Sequence, residues 1–96
     1  MLIISGSLSF APEDRKLVLE NLVEITQLSR NDAGCVDYWW AEDVEEPNTF
    51  RFFECWESQE LFDAHISTPH EKTFGERLLS RIAGATAQTF SAAPQP

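Results

Sequence analysis

Residues 35–57 read CVDYWWAED-VEEPN-TFRFFECWE. Two runs rich in aromatic and β-branched residues flank a five-residue connection, Val44 to Asn48, that carries Pro47 and Asn48. That pattern predicts an antiparallel hairpin with strands over 35–43 and 49–57. Successive strand residues point to opposite faces, so Tyr38, Trp39 and Trp40 alternate sides. Phe50, Phe52 and Trp56 share one side of the partner strand, with Glu54 among them, while Phe53 and Cys55 take the other. Both faces of the hairpin are therefore apolar. Helices cover one face of such a sheet, and the other is expected to be covered by a second copy of the chain, which predicts a homodimer.

Before the hairpin, residues 2–10 (LIISGSLSF) read as a strand. Pro12 then stands at a first helical position, with Glu13 and Asp14 where a helix dipole favours acids. Leu17, Val18, Leu19, Leu22, Val23, Ile25 and Leu28 recur at helical spacing and predict one wide apolar face over 12–30. The turn Asn31-Asp32-Ala33-Gly34 ends that helix. After the hairpin, Ser58 caps a short helix with Leu61, Phe62 and Ile66. Thr68-Pro69-His70-Glu71 has the form of a capping box that opens a second helix over about 69–82, closed by Gly84. Residues 85–91 form a last strand. The order β-α-β-β-α-α-β is that of an α+β, ferredoxin-like fold: a four-stranded antiparallel sheet with its helices on one face. One domain spans 1–91, and the tail 92–96 is expected to be flexible.

The chain has 96 residues, room for a single domain, and a net charge of -9. Its seven Lys and Arg residues are scattered, so binding to nucleic acid or to an anionic membrane is not expected. Cys35 and Cys55 belong to no C-x-x-C pair and read as reduced, buried thiols. Neither a signal peptide nor an apolar run of about 20 residues is present, and a cytoplasmic location is expected.

From Gly34 to Phe74 the sequence carries Gly34-Cys35, Tyr38, Pro47, Phe50, Glu54, Trp56, Glu57-Ser58, Ala64-His65, Ser67-Thr68-Pro69-His70 and Phe74. This run closely resembles the pattern of antibiotic biosynthesis monooxygenase domains, including the quinol monooxygenases. The resemblance implies a dimeric α+β barrel with a ligand cavity between helices and sheet in each protomer. It also implies a cofactor-independent monooxygenase acting on small aromatic quinol or polyphenol-type substrates with O2, without flavin or metal. A deprotonated, electron-rich aromatic gives its own electrons to O2, so the protein supplies a base, orienting hydrogen bonds and a dry pocket. Relatives on the fold include isomerases, so a non-oxidative enzyme or a small-ligand-binding dimer is the alternative. Neither a Gly-rich dinucleotide loop nor any other cofactor signature is present.

His65, late in the short helix, is the candidate base, since its ordinary pKa suits proton transfer at neutral pH. A structural histidine bonded to the backbone or to Glu54 is the competing reading. Tyr38, Trp56, Phe53, His70 and Phe74 are candidates for the substrate pocket, with Tyr38 offering a hydroxyl to a phenolate. Glu54, the odd charge in an apolar strand, reads as a buried supporting carboxylate paired with Arg51, Arg77 or His65. No metal site is expected: five residues separate His65 and His70 by about 140° on an ideal helix, and Pro69 interrupts that helix.

Overall fold

A computed structural model describes residues 1–96. The strands are β1 (Leu2–Phe10), β2 (Cys35–Glu42), β3 (Thr49–Trp56) and β4 (Ile82–Ser91), and the helices are α1 (Arg15–Ser29), α2 (Gln59–Ile66) and α3 (Pro69–Leu78). Single 3-10 turns precede α1 at Pro12–Asp14 and follow α3 at Leu79–Arg81. All neighbouring strands are antiparallel, in the order β2-β3-β1-β4. The α1 crossover from β1 to β2 leaves a slot that β3 fills, which is the split βαβ arrangement the sequence predicts.

Local chemistry explains the boundaries. Ser58 Oγ accepts from Leu61 N at 3.2 Å and starts α2. Thr68 Oγ1 accepts from Glu71 N at 3.3 Å and starts α3, with Pro69 in the first turn. Gly34, at φ 82°, supplies the left-handed residue that turns the chain into β2. Gly6 permits the close approach of β1 to β4, where a Cβ would collide with the Thr86 carbonyl oxygen. Two expectations are corrected at β4. The second helix stops at Leu78, whose side chain is fully buried, and the strand begins at Ile82, paired with Phe10. Gly84 lies within that strand opposite Ser9 and closes no helix.

The core lies between the helices and one face of the sheet. It has two lobes: Leu2, Ile4, Ile25, Tyr38, Phe52 and Trp56, and then Phe10, Val18, Leu22, Phe50 and Leu78. Each large apolar side chain buried in this way contributes roughly 1.5–3 kcal/mol. The apolar face of α1 is narrower than its spacing predicts, because Leu19, Val23 and Leu28 remain exposed. The opposite face of the sheet carries no helix. There Trp39 stacks on Phe53, with ring centroids 5.7 Å apart and planes 11° apart. Glu42 and Asp43 at the end of the hairpin pair with Arg15 and Arg51. No helix is long and apolar enough to cross a membrane. The chain beyond β4, residues 92–96, has no regular structure, and Ala92 pairs with Met1 through backbone hydrogen bonds.

Candidate active site

The end of β3 brings Glu54 and Trp56 to the core face, where the last turn of α2 lays His65 over them. The His65 ring stacks on Trp56 at 4.4 Å between centroids and meets Tyr38 edge-on at 6.0 Å. Its side chain is 1% exposed. The chain reverses at Ser67–Thr68, and the first turn of α3 brings His70 and Glu71 back toward the same point. The two histidines sit on separate helices, as the interruption at Pro69 predicts, and the reversal between the helices brings their ring centroids to 6.0 Å.

Asp32, in the turn between α1 and β2, joins them. Its Oδ2 lies 2.8 Å from His65 Nδ1 and 2.7 Å from His70 Nε2. A carboxylate only accepts, so both nitrogens carry hydrogen and the lone pair of His65 is left on Nε2. The donor atoms of Asp32, His65 and His70 all fall within 4.8 Å of one another. Asp32 Oδ2 is the shared hydrogen-bond acceptor of both ring nitrogens, which joins the three side chains in a bridge.

Nε2 of His65 faces two carboxyl groups, Glu71 Oε2 at 3.4 Å and Glu54 Oε1 at 3.5 Å. Glu54 also accepts from Trp56 Nε1 at 3.2 Å. No Lys or Arg reaches any of these groups: Arg51 pairs with Asp43, and Arg77 with Glu24. Burial pushes the Glu54 carboxyl up to about 7, against the hydrogen bond from Trp56 that holds it down. Burial likewise pushes Glu71 up to about 7, and the charge on Glu54 adds to the effect. Burial lowers the His65 pKa, outweighing the support of Asp32. A neutral imidazole with its lone pair toward a protonated carboxyl satisfies all three shifts. Burial also raises the Tyr38 pKa, and its hydroxyl accepts from Trp40 Nε1 at 3.0 Å.

The sequence candidates divide accordingly. His65, Tyr38, Trp56, His70 and Glu54 converge at one point. Phe74 sits further along the core against Trp40, at 6.0 Å between rings. Phe53 faces the other side of the sheet, as strand alternation dictates, and is removed from the pocket set. Asp32 and Glu71 also reach this point, and sequence reasoning chose neither as a site residue. An Asp in a turn and a Glu three residues after a capping Thr both have ordinary local explanations.

The expected cavity is also displaced. A recess of about 360 Å³ opens between α1 and the β2 edge, lined by Leu19, Leu22, Val23, Trp40 and Phe50 among others, and it does not reach His65. Near the site itself there is only a notch of about 10 Å³ between α1 and α3, bordered by His70, Phe74 and Arg77. That is space for one water molecule.

Residues 1–77 match the antibiotic biosynthesis monooxygenase family. A proposed monooxygenase of Bacillus subtilis, YcnE, is 31% identical over 83 residues, 83% of this chain and 87% of its own length. The uncharacterised Synechocystis protein sll1783 is 29% identical over 76 residues, 79% of this chain. The chain spans about half the length of that relative, 52%. Among solved structures, a proposed antibiotic biosynthesis monooxygenase from Deinococcus radiodurans superposes with a TM-score of 0.91 at 25% identity, covering 100% of this chain and 96% of the other. Rv0793 from Mycobacterium tuberculosis shares the fold at a TM-score of 0.88 and 16% identity, covering 98% of this chain and 96% of its own. By family match, by relatives of similar length and by fold, the chain belongs to the antibiotic biosynthesis monooxygenase family.

Proposed function

We propose that this chain is a cofactor-independent monooxygenase of small aromatic quinol or polyphenol-type substrates, with His65 as the base that deprotonates the substrate. One observation carries the reading: Asp32 fixes the tautomer of a buried histidine stacked on Trp56, so that the Nε2 lone pair points away from Asp32, toward Glu71 and Glu54. A carboxylate on one ring nitrogen raises the proton affinity of the other and stabilises the imidazolium that forms. Trp56 and Tyr38 shape the site around Nε2. His65 is closed off, so the packing around it must open for a substrate, with the seam between α1 and α3 that His70 and Phe74 border as the candidate route. The displaced recess beside β2 favours the second reading, a small-ligand-binding or isomerising dimer.

Oxygen uptake by the purified, metal-free protein against quinols, anthrones and catechols separates the two. Uptake above autoxidation, reduced about 100-fold or more in His65→Ala and in Asp32→Asn, supports the base. A flat trace across the panel moves the reading to isomerisation or ligand binding.

The assembly belongs to the same proposal. The helix-free face presents Trp39 at 38% and Phe90 at 48% exposure, beside Phe53, which fits cover by a second copy in a homodimer. Sedimentation of the purified chain at the mass of one copy would overturn that.

A further inference from the structure

We infer that Glu71 is the proton donor of the oxygenation: it protonates the peroxide formed when O2 adds to the substrate, and then removes the proton that the oxygenated carbon releases. The inference rests on the monooxygenase reading and adds a second catalytic residue to it.

The capping motif that opens α3 is used in an unusual way. In a capping box the Glu at the third helical position reaches back to the backbone N–H of the capping residue, at the surface. In Thr68-Pro69-His70-Glu71 only half of the box forms. Glu71 N donates to Thr68 Oγ1, whereas Thr68 N is already committed to the His65 carbonyl oxygen at 3.1 Å. The Glu71 carboxyl turns inward instead. Its Oε2 is buried, has no hydrogen-bond partner and lies 3.4 Å from His65 Nε2.

A buried carboxyl oxygen without a partner costs stability. The neighbours do not repair that cost. Facing the site are Glu54 from β3, Asp32 from the α1–β2 turn, Tyr38 from β2, His65 from α2 and His70 from α3. None of them is a Lys or Arg. Glu54 already accepts from Trp56, so Glu71 is the carboxyl whose inner oxygen is free. Its burial also keeps it protonated into the neutral range, as an acid must be.

Two groups that exchange protons close the reaction. His65 Nε2 takes a proton from the substrate. The anion adds to O2 with its electron pair, forming a C–O bond at a carbon that retains one hydrogen. Glu71 gives its proton to the distal oxygen, leaving a hydroperoxide and a carboxylate. That carboxylate removes the remaining hydrogen as a proton, and the C–H pair becomes the second bond of a C=O. The O–O bond breaks, and the departing hydroxide takes the proton from His65 to leave as water. One oxygen atom stays in the product and one becomes water. The four electrons that reduce O2 come from the anion and from the C–H bond. Both His65 and Glu71 return to their starting protonation.

Glu71→Gln keeps the size of the side chain and removes the proton. The expected result is a KM within a few-fold of the wild type, product formation lowered about 100-fold, and hydrogen peroxide released for the oxygen consumed. A variant that forms product and water at the wild-type rate overturns the role of Glu71 and leaves the monooxygenase reading standing. Wild-type protein that consumes no oxygen removes that reading, and this inference with it. A titration of the side-chain carboxyl carbons by NMR on the resting protein gives an independent readout. A Glu71 that is fully ionised at pH 5 overturns the donor role whatever the activity.

Discussion

The space beneath the helices has two ends, built from one strand and filled in opposite ways. At the start of β3, Phe50 packs with Phe10, Val18, Leu22 and Leu78 into a lobe without a polar side chain. Four and six residues further along the same face, Glu54 and Trp56 meet His65, Glu71 and the turn that carries Asp32. The first lies under α1 and the end of α3, and the second under α2 and the start of α3. The first is explained by removal of apolar area from water. The second gathers three carboxyl groups around two histidines with no Lys or Arg, an arrangement that well-packed apolar residues would surpass in stability. Apolar burial stabilises both ends, through Leu2, Ile4, Ile25, Tyr38, Phe52 and Trp56 at the second, and the polar cluster added at that end makes sense as chemistry.

The largest expected effect tests the apolar end. Leu78→Ala removes a fully buried side chain from the second lobe and should cost roughly 2–5 kcal/mol of unfolding free energy by denaturant titration. The folded fraction of that variant should keep its turnover, because His65, Glu71, Asp32 and Glu54 lie outside the lobe. A loss of turnover in fully folded Leu78→Ala protein would break the separation between the two ends.

How much of this was visible in the sequence follows the same division. Where one kind of force decides, the reading holds. Alternation along the hairpin put Phe50, Phe52 and Trp56 on one side and Phe53 on the other, and so they lie, which is also why Phe53 drops out of the pocket candidates. Glu54 stood out because a charge among inward-facing aromatics has no cheap explanation. Where two forces compete, the reading falls short. Leu19 and Val23 have the right spacing for the core face, yet α1 sits beside the β2 edge, and the two side chains line an open recess. The second helix ends early because burying Leu78 and pairing Ile82 with Phe10 outweigh propensity over its last residues. Asp32 and Glu71 were hidden by good local roles, a turn residue and a cap. Only the third dimension reveals that neither side chain is used solely in that role.

A smaller effect probes the polar end through its pH dependence. Glu54→Gln keeps an oxygen to accept from Trp56 Nε1 and deletes the ionisation. The Glu54 pKa is raised from 4.5 to about 7 on folding. Between those values the folded protein holds a proton that the unfolded chain has released, so stability is greatest on the acid side and falls as pH rises through the window. Removing the group should leave stability nearly unchanged at pH 4.5 and raise it by roughly 1–3 kcal/mol at pH 8. Part of that gain passes through Glu71, whose raised pKa includes repulsion from an ionised Glu54. His65 supplies the opposite slope. Its folded pKa is lowered below 6.5, so its contribution is lost as pH falls below that value, and Glu54→Gln leaves this acid-side loss in place. Denaturant titrations at pH 4.5, 6 and 8 resolve the two slopes. An equal gain at every pH would mean that Glu54 acts through packing alone. No gain at pH 8 would mean that the carboxylate has found a partner on folding, and the polar end would then cost the protein nothing.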